Sequence, residues 1–259
     1  MGALMEISYV AILLAAGLGC GFLNTLASSG SVVSLPVLVM LGVPESAANA
    51  TNRLPVFVGS LIAAVTFARK GQLDYQALWR LMPPLVIGSA LGALLAEQMS
   101  NRAMGLLITA AVLIALTLLF TKIKDALLGE RVKAAEVTTA AMLLIFAVGI
   151  WLGLIVLDSA TYLLLVLMLV CGYQLPQANA LKVALLGAGT AVAILLFWRG
   201  GDVWWFEGMV MSAGSVLGGY AGARASCFPQ AKTWAFRVLV VVISLESMHL
   251  AWHYYSATT

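Results

Sequence analysis

The chain has 259 residues, 62% of them hydrophobic and 10% charged, with a mean hydropathy of +1.01. Soluble domains carry about 25% charged residues, so this composition excludes a water-soluble fold, which could not cover its own surface. The net charge of +3 comes without a polybasic tail, which excludes a nucleic-acid footprint, and the three cysteines have neither disulfide nor metal spacing.

A membrane-spanning helix needs about 20 apolar residues. Several runs qualify, and the charges between them are too sparse for the alternating strands of an outer-membrane barrel. The expected class is therefore an all-α polytopic membrane protein. In chain order, the first element is a Gly/Ser-interrupted apolar hairpin, Ile7–Leu41. It is too broken for one helix and short for two full spans, so it reads as two short spans or a re-entrant loop. No basic region precedes it, so a retained segment is expected rather than a cleaved signal. Helices follow at about 46–68, 77–98 and 103–121. A second hairpin, Met142–Cys171, and helices at about 178–198, 204–226 and 234–254 complete the chain.

The order of elements repeats, and so do the residues. Residue i set against residue i+130, without a gap from about Ala11 to Ala93, pairs Gly19 with Gly149, Ser29 with Ser159 and Asn49 with Asn179. It also pairs Arg69 with Arg199 and Gly88 with Gly218. The expected division is a first transmembrane repeat at 1–121, a charged cytoplasmic linker at 122–136 and a second repeat at 137–259. Lys and Arg concentrate in cytoplasmic loops. With the linker inside, an odd number of crossings per half also places Arg69, Lys70, Arg80, Arg224, Lys232 and Arg237 inside. Only Arg102 and Arg199 then lie outside. Odd halves are inverted repeats, each a broken or short hairpin followed by three transmembrane helices, an architecture of secondary transporters.

The polar residues inside these runs are the candidate site. A charge at the bilayer centre costs about 2.5–3.5 kcal/mol on insertion scales and faces a cavity or a partner. Asn49, Asn52 and Arg53 lie at i, i+3 and i+4, on one helical face. Ser46 is the expected N-cap, which sets this face in the first turns of a helix, where free N–H groups attract anions. The guanidinium adds a planar fork suited to oxyanions. Asn179 and Lys182 form the copy. The two cations would meet in one cavity and hold an anion there; the competing reading is that both snorkel to headgroups from nearby turns.

Ser28, Ser29 and Ser31, in the first hairpin tip "NTLASSGS", offer hydroxyls and free N–H groups to the same anion, or simply a small-residue helix contact. Asp158, aligned with Ser28, pairs with Lys182 or Arg53, carries a coupling proton, or is solvated at an interface. Gly88-x-x-x-Gly92 and Gly214-x-x-x-Gly218-x-x-x-Gly222 are faces for close helix contact. Glu246, His249 and His253 share a helical face, but their aromatic neighbours mark an interfacial belt. No metal or cofactor is assigned, and the absence of P-loop, HExxH and serine-nucleophile motifs argues against an enzyme.

"GFLNTLASSGSVVSLPVLVMLGVPESAANATNRL" and "FARKGQLD", with "QANALKV" and "GSVLGGYAGAR" in the second half, resemble the paired signatures of the TauE/SafE sulfite exporter family, also called TSUP. The resemblance covers nearly the whole chain. It implies an ATP-independent transporter that exports a sulfur-containing anion, such as sulfite, sulfoacetate or another organosulfonate, across the inner membrane. Members often carry a glycine run at each hairpin tip. Here the tips read Ser28-Ser29-Gly30 and Asp158-Ser159-Ala160, a departure that points to an unusual substrate. Two other readings stand beside export: a proton-coupled importer of a small anion with Asp158 as carrier, and a non-transporting membrane scaffold.

Overall fold

The structure, a computed structural model, describes residues 2–26, 28, 30–120 and 136–226. Most of the linker, the expected 234–254 helix, Ser29, and Glu246, His249 and His253 lie outside the described residues. Among those described, the fold is all-α. Four helical stretches are long and apolar enough to cross a membrane: Glu6–Leu26, Glu45–Arg69, Tyr75–Glu97 and Leu175–Gly200.

The first hairpin differs from expectation. Its first arm is one long helix, α1 (Gly2–Leu26), and only its second arm, α2 (Ser31–Met40), is short. The glycines of α1 do not break it; they are contact points. A Cβ on Gly21 would lie 2.4 Å from the Ser215 carbonyl oxygen. Next come α3 (Glu45–Thr51) and α4 (Arg53–Arg69), which divide one predicted helix at Asn52. Pro55 explains the division: without an N–H it cannot bond the Thr51 carbonyl four residues back, and proline is accommodated only in a first turn. The second half has Leu185 at this place, and its helix runs unbroken. The expected N-cap Ser46 is corrected too, because Pro44 takes that position with ψ 146° and Glu45 is the first helical residue.

Two further helices, α5 (Tyr75–Glu97) and α6 (Asn101–Phe120), complete the first half. Asp74 caps α5 by accepting from the Ala77 N–H at 3.0 Å. The second half contributes α7 (Thr139–Leu154), α8 (Ser159–Leu165) continued by a π-helical turn (Val166–Val170), α9 (Leu175–Gly200) and α10 (Trp205–Ala225).

The tightest helix pairs are made between halves: α1 packs along α10, and α5 along α7. The expected small-residue faces make both contacts. A Cβ on Gly92 would lie 2.0 Å from the Ile150 carbonyl oxygen, and one on Gly218 would lie 2.1 Å from that of Leu18. Between these pairs, α4 packs along α9. Large apolar side chains such as Ile87, Leu143, Leu195 and Leu217 are more than half exposed on the outside, a surface suited to lipid.

The repeat register holds for the later helices, since Glu45 and Leu175, and Tyr75 and Trp205, begin helices 130 residues apart. It slips by two in the first ones. Gly21 abuts Ser215 just as Gly149 abuts Leu85, so Gly149 corresponds to Gly21 rather than Gly19. The two residues are recovered where the ten-residue α2 is matched by the twelve of α8 and its π turn.

Candidate functional site

Arg53 and Lys182 are each 0% exposed. In this structure neither reaches the surface, so neither snorkels. Each instead crosses to the other half and binds the end of a helix. Arg53, at the start of α4, donates from Nη1 to the Leu152 carbonyl at 2.7 Å and from Nη2 to the Gly153 carbonyl at 2.6 Å. Asn49, one turn earlier, donates to the next carbonyl, Leu154, at 2.9 Å. Together they satisfy the last turn of α7, whose carbonyls have no partner in their own helix. A cation there also meets the negative end of the helix dipole. The Phe197 ring lies 4.7 Å below the guanidinium.

Lys182 does the same for α1. Its ammonium donates to the Thr25 carbonyl at 3.2 Å, to Ser28 Oγ at 2.9 Å and to Asn179 Oδ1 at 2.9 Å. These three acceptors are uncharged, and so are the two carbonyls of Arg53; Asp158 is not among them. Ser28 adopts a left-handed backbone, φ 68°, which L-residues rarely occupy. Its carbonyl accepts from Thr161 Oγ1 at 3.1 Å, joining the two tips. Asp158 is 3% exposed and also left-handed, φ 59°. It precedes α8 as Gly30 precedes α2: each carbonyl accepts from the N–H groups three and four residues on. Its structural counterpart is thus Gly30, not Ser28.

The structure does not bring the two cations together. Phe197, under Arg53, and Lys182 both belong to α9, fifteen residues apart, or roughly 22 Å along a helix. The single cavity expected from the sequence becomes two separate polar centres, one at each hairpin tip.

The two centres differ in what they leave open. The ammonium of Lys182 already has three acceptors. Three buried donors have no partner among the described residues: Arg53 Nε and its neighbour Asn52 Nδ2, and Ser31 Oγ at the start of α2. Asn52 is held by its other end, its Oδ1 accepting from Ser34 Oγ at 2.5 Å. Ser31 lies one turn before Ser34 on α2. Buried polar groups are normally paired, and these three donors are exceptions. Asn49 Oδ1, an acceptor, is likewise unpartnered.

Sequence reasoning missed Thr25, Ser34, Phe197 and the carbonyls of residues 152–154. Ser34 carried a signal, since it continues the Ser31 face at i+3. Carbonyl acceptors carry none, because every residue has one.

The Sulfite exporter TauE/SafE family matches residues 13–247. The chain is 29% identical over 240 residues to a "Probable membrane transporter protein" of Haemophilus influenzae, covering 92% of each chain. It is 27% identical over 226 residues to "Probable membrane transporter protein YfcA" of Escherichia coli K12, covering 86% of this chain and 82% of that one. It is 25% identical over 240 residues to "Probable membrane transporter protein ORF9" of a Sinorhizobium species, covering 91% and 89%. No solved structure matches. With the family match spanning most of its length, the chain belongs to the TauE/SafE sulfite exporter family and is a multi-pass membrane transporter of that type.

Proposed function

We propose that the protein exports a sulfur-containing anion, such as sulfite, sulfoacetate or another organosulfonate, across the inner membrane by alternating access. The observation that carries this reading is a set of three unpartnered buried donors: Arg53 Nε and Asn52 Nδ2 at the break between α3 and α4, and Ser31 Oγ at the start of α2. A sulfite or sulfonate head presents three oxygens, and an arginine beside neutral donors suits such a group. Lys182, Asn179 and Ser28 form the counterpart centre, whose ammonium would be released to the anion when the α1 end moves away.

The two halves are read as inserted in opposite senses. Support comes from which helix ends meet. Around the linker end lie the contacts of Glu136 with Cys171, Tyr173 with Asp74, and Lys70 with Ala223. Around the other lie Tyr9 with Glu207, Ser46 with Asn101, and Thr51 with Trp204. On this pattern α4 leads toward the linker end and α9, its copy, leads away from it. Arg69, Lys70, Arg80 and Arg224 gather at the linker end, which is therefore read as cytoplasmic. An inside-negative potential favours anion exit by about 2.3 kcal/mol per charge per 100 mV, so outward flow needs no coupled ion.

The test is efflux of sulfite, thiosulfate, sulfoacetate and sulfate from proteoliposomes with an imposed potential. Efflux of sulfite or a sulfonate, faster with the inside negative and lost in Arg53→Gln, is expected. Absence of flux for all four anions, or undiminished flux in Arg53→Gln, overturns the reading.

A further inference from the structure

Two hydroxyls near the middle of the bundle have no role in the centres described above. Ser60 on α4 and Thr190 on α9 are 2% and 0% exposed, and neither hydroxyl has a partner among the described residues. They stand 130 residues apart, the spacing of the repeat. Each lies three residues or less from the centre of its span, Glu45–Arg69 and Leu175–Gly200. Both are on the α4–α9 contact: a Cβ on Gly187 would lie 3.6 Å from the Ser60 Cβ, and Thr190 shares that face one turn on.

Like Ser31 Oγ at the start of α2 their hydroxyls are unpaired, but these two lie deep inside helices. A serine or threonine inside a helix ordinarily bonds the carbonyl four residues back. Thr25, Thr66, Thr109 and Ser212 do so here. Ser60 and Thr190 have the carbonyls of Val56 and Leu186 at the same offset and do not bond them. In an apolar interior a hydroxyl without a partner is costly, so a ligand that supplies one is favoured.

Position decides the sign of that ligand. Ser60 lies seven residues beyond Arg53, and Thr190 eight beyond Lys182, about 10–12 Å of helix in each case. The hydroxyls thus sit between the two buried cations. A cation there would be repelled from both sides, whereas an oxyanion would be attracted from both. We propose that Ser60 and Thr190 form a midway station, where the transported oxyanion accepts hydrogen bonds as it passes between the Arg53 and Lys182 centres. The station rests on the transport reading and adds to it a route and a third stopping point.

The test is labelling of Ser60→Cys and Thr190→Cys, each in a chain whose native cysteines are serine, by 2-sulfonatoethyl methanethiosulfonate, in vesicles of both orientations. Ala63→Cys, at a fully buried position of α4, is the control. Labelling well above the control and slowed by sulfoacetate is expected. No labelling from either side, or labelling that sulfoacetate does not slow, overturns the station. A Ser60→Ala/Thr190→Val double variant keeps the question open to measurement where a cysteine variant fails to assemble. Its sulfoacetate flux should fall about tenfold or more, and wild-type flux would overturn the station while leaving export standing. If the wild-type protein moves no anion, it is export that fails; the labelling then reports separately on whether a sulfonate reaches the hydroxyls.

Discussion

Arg53 donates to the carbonyl of Leu152, 99 residues along the chain, at 2.7 Å. With its second bond to Gly153 it caps a helix of the opposite half through both arms of the guanidinium. Arg53→Lys keeps the charge and loses the fork, along with the stacking on Phe197. One carbonyl is then left bare in a buried site, at a cost of about 1–3 kcal/mol. A lower thermal midpoint in detergent and a sulfoacetate flux reduced about tenfold or more are expected. Wild-type behaviour in both would show that charge alone suffices.

Lys182 holds the end of α1 and the Ser28 tip. Lys182→Met fills similar space and strands the Thr25 carbonyl, Ser28 Oγ and Asn179 Oδ1. Stability should fall by about 1–3 kcal/mol or more, read as a drop in the thermal midpoint. Ser28→Gly should act the other way on the backbone, since glycine occupies the left-handed region without strain; its cost should be no larger than that of the lost hydroxyl bond.

Gly92 and Gly218 leave no room for a side chain. Either changed to Leu would drive carbon into the backbone of α7 or α1, and overpacking of this kind costs about 1–3 kcal/mol or more. The folded fraction on size-exclusion chromatography should fall sharply in both. Gly105→Ala, which would meet only the Glu45 side chain at 3.5 Å, should match the wild type.

Outside the spans, Tyr173 donates to Asp74 Oδ2 at 2.7 Å. The Ala77 N–H, then the Tyr173 hydroxyl, hold the Asp74 carboxyl below its ordinary value against the opposing effect of burial. A carboxyl depressed in the folded state contributes stability above its unfolded pKa of about 3.9, and this is lost as pH falls through the folded value. Burial, followed by Asp74, raises the Tyr173 hydroxyl, so its contribution is present below about pH 10 and lost above. Thermal midpoints measured against pH should show a weaker acid-side decline in Asp74→Asn than in the wild type. Parallel curves would remove Asp74 as a source of the acid sensitivity.

Much of this was legible in the chain. Low charge and long apolar runs announce the spans. Arg53 and Lys182 stand out because a charge in such a run needs a partner. Their partners do not stand out, since both cations bind main-chain carbonyls. The break at Asn52 was readable from Pro55, which removes one specific donor, yet the run around it stays apolar enough to suggest one helix. The two-residue slip between α1 and α7 was hidden because ungapped matching accepts Gly19 against Gly149, while contact requires Gly21. Ser60 and Thr190 escape notice because a lone hydroxyl in a helix normally satisfies itself.

The glycine contacts carry a consequence for how such a chain could arise. Each half presents a narrow, close-packing face whose mate lies on the other half, α1 against α10 and α5 against α7. A polypeptide of one half would therefore be left with two unmatched seams, and a second molecule of itself is the ready complement. Fusion of two such molecules would tie together what had been an obligate dimer. Separately synthesised fragments, cut within the 122–135 connection, should then reassemble when made in the same cell, and neither should persist without the other.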